Sequence, residues 1–166
     1  KDILFYVASR GHHADVGGTA PGSMTPLATT VDEEGVLFDN VLLVDQGRFD
    51  EAGITRLLSD HPYPARNVAQ NVGDLRAQIA ANEKGVHEMR KMIAQFGLDV
   101  VQAYMGHVQD NAEESVRRDI EKHGDSSFSY ATDQGSTIEV KITVDKARRE
   151  ATVDFTGTSP QKPNNF

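Results

Sequence analysis

The chain has 166 residues, 38% hydrophobic and 25% charged, with a formal net charge of −8 and no cysteine. That length suits one domain with a sizeable core, or one domain plus part of a neighbour, and the missing cysteines exclude disulfides, thiol nucleophiles and thiolate metal sites. Scattered Lys and Arg on an acidic background argue against a nucleic-acid reader, and no apolar run approaches the ~20 residues of a membrane helix.

Residues 3–8 (ILFYVA) read as a short buried strand. The segment RGHHADVGG at 10–18 and the Gly- and Pro-rich stretch to Pro26 read as a structured loop that lets backbone approach a ligand. Residues 36–38 and 41–44 flank Asp39-Asn40, which suits a tight hairpin ending at Gln46-Gly47. Asp50 caps a short helix over about 51–59, and Pro62 and Pro64 then hold the chain extended through Asn67.

Leu75, Ile79, Asn82, Val86, Met89, Ile93 and Phe96 fall at alternating spacings of four and three, one seam of a long helix with Asn71 as its expected N-cap. Gly97 ends it, and Asp99 with Gln102 resembles a capping box opening a second helix. That helix gathers Val101, Tyr104, Met105, Val108, Ala112, Val116 and Ile120 on one face and stops at Gly124. Residues 127–133, 137–145 and 149–155 alternate apolar and polar positions and read as an antiparallel meander. The expected class is α+β: a long antiparallel helical hairpin packed with a mainly antiparallel sheet. Its regions are 1–60, 70–124 and 127–156, within a single excerpt of a larger domain. Both ends read as cut, since the chain begins at Lys1-Asp2 without Met and closes on PNNF. No secretory signal is visible, so the cytoplasm is expected.

Chemistry concentrates in the 10–18 loop, where two imidazoles, a carboxylate and an arginine lie within six residues. Imidazole with carboxylate oxygen suits Mn-, Zn- or Fe-type divalent ions, while backbone hydrogen bonding explains the same histidines; both roles stay open here. A second candidate is the polar face of the second long helix, with Gln102, His107, Asp110, Asn111 and Glu114. His107, Asn111 and Glu114 at i, i+4 and i+7 can line one cleft or one solvated face. Arg66, Asn67, Gln70 and Asn71 form a third cluster, in which Arg66 can grip a carboxylate in bidentate fashion, while capping and turn formation explain the same residues.

The string ASRGHHADVGGTAPGSMTP closely resembles a signature of the hydantoinase B / 5-oxoprolinase B family. Further similar stretches follow in order: EGVLFDNVLLVDQGR at 34–48, PYPARNVAQNVGDLRAQIAAN at 62–82, YMGHVQDNAEES at 104–115 and DFTGTSPQ at 154–161. The resemblance implies part of an ATP-dependent cyclic-amide hydrolase acting on 5-oxoproline, hydantoins or similar small substrates. An A-type subunit or fused domain would use ATP to activate the carbonyl, and the B-type part would complete ring opening.

Related carboxylases acting on ketones are an alternative, as is a scaffold whose helical hairpin docks the A-type partner. The resemblance also implies a divalent metal, held by an H-x-x-D segment upstream of residue 1 together with the first histidine of the motif, which maps onto His12. An oligomeric assembly is expected, and the isolated excerpt is expected to be inactive. The candidate sites are therefore His13, Asp15 and His107 for catalysis, Arg10, Arg66, Asn67, Gln102, Asp110 and Asn111 for substrate, and His12 for metal.

Overall fold

The structure, a computed structural model, describes residues 3–165. Elements run α1 (Val31–Glu34), β1 (Val44–Asp45), β2 (Arg48–Phe49), α2 (Glu51–Ser59), α3 (Val68–Phe96), α4 (Leu98–Ile120), β3 (Ser126–Ala131), β4 (Thr137–Asp145) and β5 (Glu150–Asp154). Two long helices beside antiparallel sheets of two and three strands make this an α+β fold. The chain divides into two compact units, one of residues up to 90 with 163–165 and one of residues 91–162.

In the first unit α2 supplies the centre of the core. Asp50 accepts the Gly53 backbone N–H at 2.9 Å, which satisfies an otherwise orphaned donor in the first turn. The 3.6-residue period then turns Ile54 and Leu58 inward, where they are fully buried with Ala65, Val72 and Leu75, and Phe38, Leu43, Phe49 and Val68 pack around them. Removing a core side chain such as Leu58 costs about 2–5 kcal/mol.

Three local expectations fail in this unit. Residues 3–8 form no strand: they have no ladder partner, Ile3 and Tyr6 are 70% and 88% exposed, and Val7 instead lies against Gly85 of α3. An apolar run alone does not supply the neighbouring backbone a strand needs. The hairpin forms one turn later than expected, pairing Val44 with Phe49 and Asp45 with Arg48. Gln46 (φ 49°) and Gly47 (φ 80°) both take positive φ, the twist that suits a two-residue hairpin, whereas around residue 40 only Asn40 does. Finally, α3 begins at Val68. Asn67 accepts the Gln70 backbone N–H at 3.2 Å and so fills the capping role expected of Asn71.

The second unit carries α4 and the meander β3–β4–β5. Phe128 pairs with Val140, Tyr130 with Ile138, and Ile142 with Val153, so period two gathers these apolar side chains on one sheet face. Near the end of α4, Arg117 donates to the Arg148 and Arg149 carbonyls at 3.2 and 3.1 Å, while Arg149 pairs with Glu114 at 3.0 Å. The Arg149 and Arg118 guanidinium groups, in that order of effect, hold the exposed Glu114 carboxyl down at about 2. The apolar face of α4 is largely uncovered: Tyr104, Val108 and Val116 are 64%, 66% and 59% exposed, and only Val101 is buried. No helix among the described residues is long and apolar enough to cross a membrane.

Candidate functional site

The 10–18 loop is fixed around Asp15. One carboxylate oxygen accepts the backbone N–H of Gly17 at 2.8 Å and of Arg66 at 3.3 Å; the other accepts Gly22 N–H at 3.1 Å and Arg66 Nη1 at 2.9 Å. Arg66 Nη2 reaches on to the Gly18 carbonyl at 2.8 Å, so one guanidinium ties two points of the loop to the segment preceding α3. Burial acts to raise the Asp15 carboxyl, but the Gly17, Gly22 and Arg66 donors together outweigh it and hold its pKa below the usual value.

The glycines explain how the loop fits. Gly17 and Gly18 take φ of 98° and 94°, and a Cβ at Gly17 would run into the Tyr63 carbonyl. A Cβ at Gly18 would meet the Glu34 carbonyl at 2.7 Å. This close approach allows Gly18 N–H to donate to Tyr63 at 3.0 Å and Val36 N–H to donate to Val16 at 2.9 Å.

His13 is held from α3. Asn71, 2% exposed, donates Nδ2 to the Asp15 backbone carbonyl at 2.8 Å and sits 3.2 Å from His13 Nδ1, with Asp74 Oδ2 3.8 Å from the same nitrogen. His13 lines a cavity of about 330 Å3 together with Arg10 and Gln78, against Phe38, Leu43 and Leu75. One side is polar and able to read oxygen or amide groups, and the other is apolar, which is the usual make-up of a small-molecule site. His12 is solvent-exposed beside it.

The remaining candidates lie elsewhere. Arg66 is engaged with Asp15 and Gly18, and Asn67 with Gln70, whose Oε1 accepts Asn67 Nδ2 at 3.2 Å. Gln102, His107, Asp110 and Asn111 are exposed on α4 in the second unit, where His107 meets Tyr104 edge-on at 5.5 Å. A cavity of about 710 Å3 runs along the other face of that helix, lined by Phe96, Val100, Val101, Tyr104, Met105 and Val108, and includes none of those four polar residues.

No group of three or more His, Asp or Glu able to hold a metal exists among the described residues. Of the ligand set the resemblance implies, this chain holds only His12, and one imidazole alone binds a divalent ion weakly. Asn71 and Gln78 were not singled out for the His13 site from sequence. The signal for Asn71 was its position between Val68, Val72 and Leu75, an amide among inward-facing apolar residues.

The profile of the hydantoinase B/oxoprolinase family matches residues 1–166. The chain is 40% identical over 188 aligned residues to 5-oxoprolinase 1 of Arabidopsis thaliana, covering 99% of this chain and 15% of that protein. It is 43% identical to 5-oxoprolinase of Dictyostelium discoideum over 95% of this chain and 13% of that one. The crystal structure of ATP-dependent caprolactamase from Pseudomonas jessenii superposes with a TM-score of 0.70 and 27% identity, covering 93% of this chain and 27% of that one. The chain thus spans under a third of the length of each of these proteins.

Proposed function

The chain belongs to the hydantoinase B/oxoprolinase family, and from that premise we propose that it forms part of the B-type portion of an ATP-dependent hydrolase of small cyclic amides. The observation that carries this is the Asp15-pinned loop, which brings Arg10 and His13 to one polar and apolar cavity of about 330 Å3. An A-type subunit or fused domain spends ATP to activate the ring carbonyl. This chain's residues bind and orient the ring: Phe38, Leu43 and Leu75 meet its methylenes, Arg10 meets a carboxylate or carbonyl oxygen, and His13 hydrogen-bonds at the reacting carbonyl. Asp15 and Arg66 hold the loop in place, a task their mutual hydrogen bonds already describe. For Gln102, His107, Asp110 and Asn111, exposed on α4 in the second unit, only smaller effects are expected. No step here is routed through a metal ion.

The test is ring opening by the complete protein with its ATP-using partner, offered 5-oxoproline, hydantoins and caprolactam, with ATP withheld as control and labelled bicarbonate as a second arm. ATP-dependent appearance of a ring-opened amino acid supports the proposal; turnover only with bicarbonate incorporated would replace it with carboxylation.

A second role is favoured by the exposed apolar face of α4, with Tyr104, Val108 and Val116 open to solvent. Such a face suits contact with the A-type partner or fused domain. Charged substitutions there should weaken co-purification of the partner while leaving the chain folded.

A further inference from the structure

His13 has two ring nitrogens, and which of them carries the hydrogen decides its chemistry. The Asn71 amide answers this through its own constraints. Its Nδ2 lies 2.8 Å from the Asp15 backbone carbonyl, an acceptor with no hydrogen to give, so the amide must present its NH2 there. The same NH2 lies 3.2 Å from His13 Nδ1. A ring hydrogen on Nδ1 would face another donor, and Asp74 Oδ2, at 3.8 Å, is too far to accept it as a hydrogen bond. Nδ1 therefore accepts, and the neutral ring carries its hydrogen on Nε2.

A further observation supports this orientation. Asn71 Oδ1 is buried without a hydrogen-bond partner, although a buried orphan carbonyl is costly. The amide keeps that cost because turning round would set Oδ1 against the Asp15 carbonyl. The two bonds through Nδ2 thus override the interest of Oδ1.

We propose that Asn71 is a positioning residue that fixes His13 as an Nε2–H donor, so that His13 polarises an oxygen of the cyclic amide rather than acting as a base or metal ligand. It rests on the functional assignment above for the identity of that oxygen, but not for the ring hydrogen. As a nucleophile adds to the activated carbonyl, negative charge grows on its oxygen and the hydrogen bond from Nε2 strengthens. The hydrogen stays on His13 throughout. A base or a metal ligand would need a bare Nε2 and a hydrogen on Nδ1, the arrangement Asn71 opposes.

The test is long-range 1H–15N correlation on 15N-histidine-labelled protein at pH 8, with His13→Gln identifying the His13 signals. The expected pattern is a bare Nδ1 and a hydrogen-bearing Nε2. Asn71→Asp, which swaps the donor for a carboxylate acceptor, should move the hydrogen to Nδ1 and lower kcat about 100-fold, with KM within about threefold, in the complete enzyme. A wild-type ring with its hydrogen on Nδ1 overturns the proposal. So does a folded Asn71→Asp that loses turnover with the ring pattern unchanged, since that would mark a merely structural role. If Asn71→Asp does not fold, the wild-type spectrum decides alone. Absent ring opening by the unaltered protein would sink the functional assignment yet leave the spectrum to stand or fall separately.

Discussion

The 10–18 loop and helix α4 both carry histidines, carboxylates and amides, yet they treat them oppositely. The loop saturates Asp15 with four donors, uses glycines to fit under two backbone carbonyls, and leaves His13 at a cavity. Helix α4 leaves Gln102, His107, Asp110 and Asn111 in solvent and an apolar face uncovered. The difference separates polar residues held in a defined geometry, which preorganised chemistry requires, from polar residues that are merely adjacent.

The loop is most sensitive at Gly17. Gly17→Ala combines a positive φ with a Cβ driven into the Tyr63 carbonyl, and should cost about 3–5 kcal/mol in urea unfolding followed by circular dichroism. A cost below about 1 kcal/mol would mean the loop is not held as described. Next comes Asp15→Ala, which strands the Arg66 guanidinium and two glycine N–H groups, for about 2–3 kcal/mol.

The sign of its pH dependence follows from the depressed carboxyl. Its contribution is complete above the unfolded value, near 4 by ordinary aspartate behaviour, and is lost as pH falls through the lower folded value. The gap between the alanine variant and the unaltered protein should therefore narrow in strong acid.

Smaller effects belong to α4. Glu114→Gln removes the Arg149 and Arg118 pairing, so it should lower the melting temperature slightly, less at high salt, and the difference should vanish as pH drops below about 2. Smallest is Val108→Asp, on a side chain already 66% exposed, expected within about 0.5 kcal/mol of the unaltered protein. A larger loss would mean that this face is covered in the folded chain.

Elements governed by local chemistry were legible in the sequence. Asp50 announced α2, and strict alternation placed β4 at its observed bounds, because a capping carboxylate and a two-residue period act over a few residues. Residues 3–8 were misread because strand formation depends on what lies alongside, and there it is α3. The hairpin slipped because turn conformation at Gln46-Gly47 outweighed the more usual turn residues Asp39-Asn40.

Within the site, the motif located the loop, but Asp15 and Arg66 looked equally suited to meeting a substrate. Only their 2.9 Å pairing across 51 residues of chain reveals that they meet one another. Asn71 was named in the sequence as a helix cap and beside Arg66, but its hold on His13 was hidden for the same reason, since both its partners come from the loop.

The proposed function puts ring-opening chemistry in the pinned loop and not on α4. The measurement is ATP-dependent ring opening by the complete protein and its ATP-using partner, comparing His13→Ala with His107→Ala. His13→Ala should lose about 100-fold or more in kcat, and His107→Ala at least tenfold less. Equal losses, or the larger loss at His107, would contradict it.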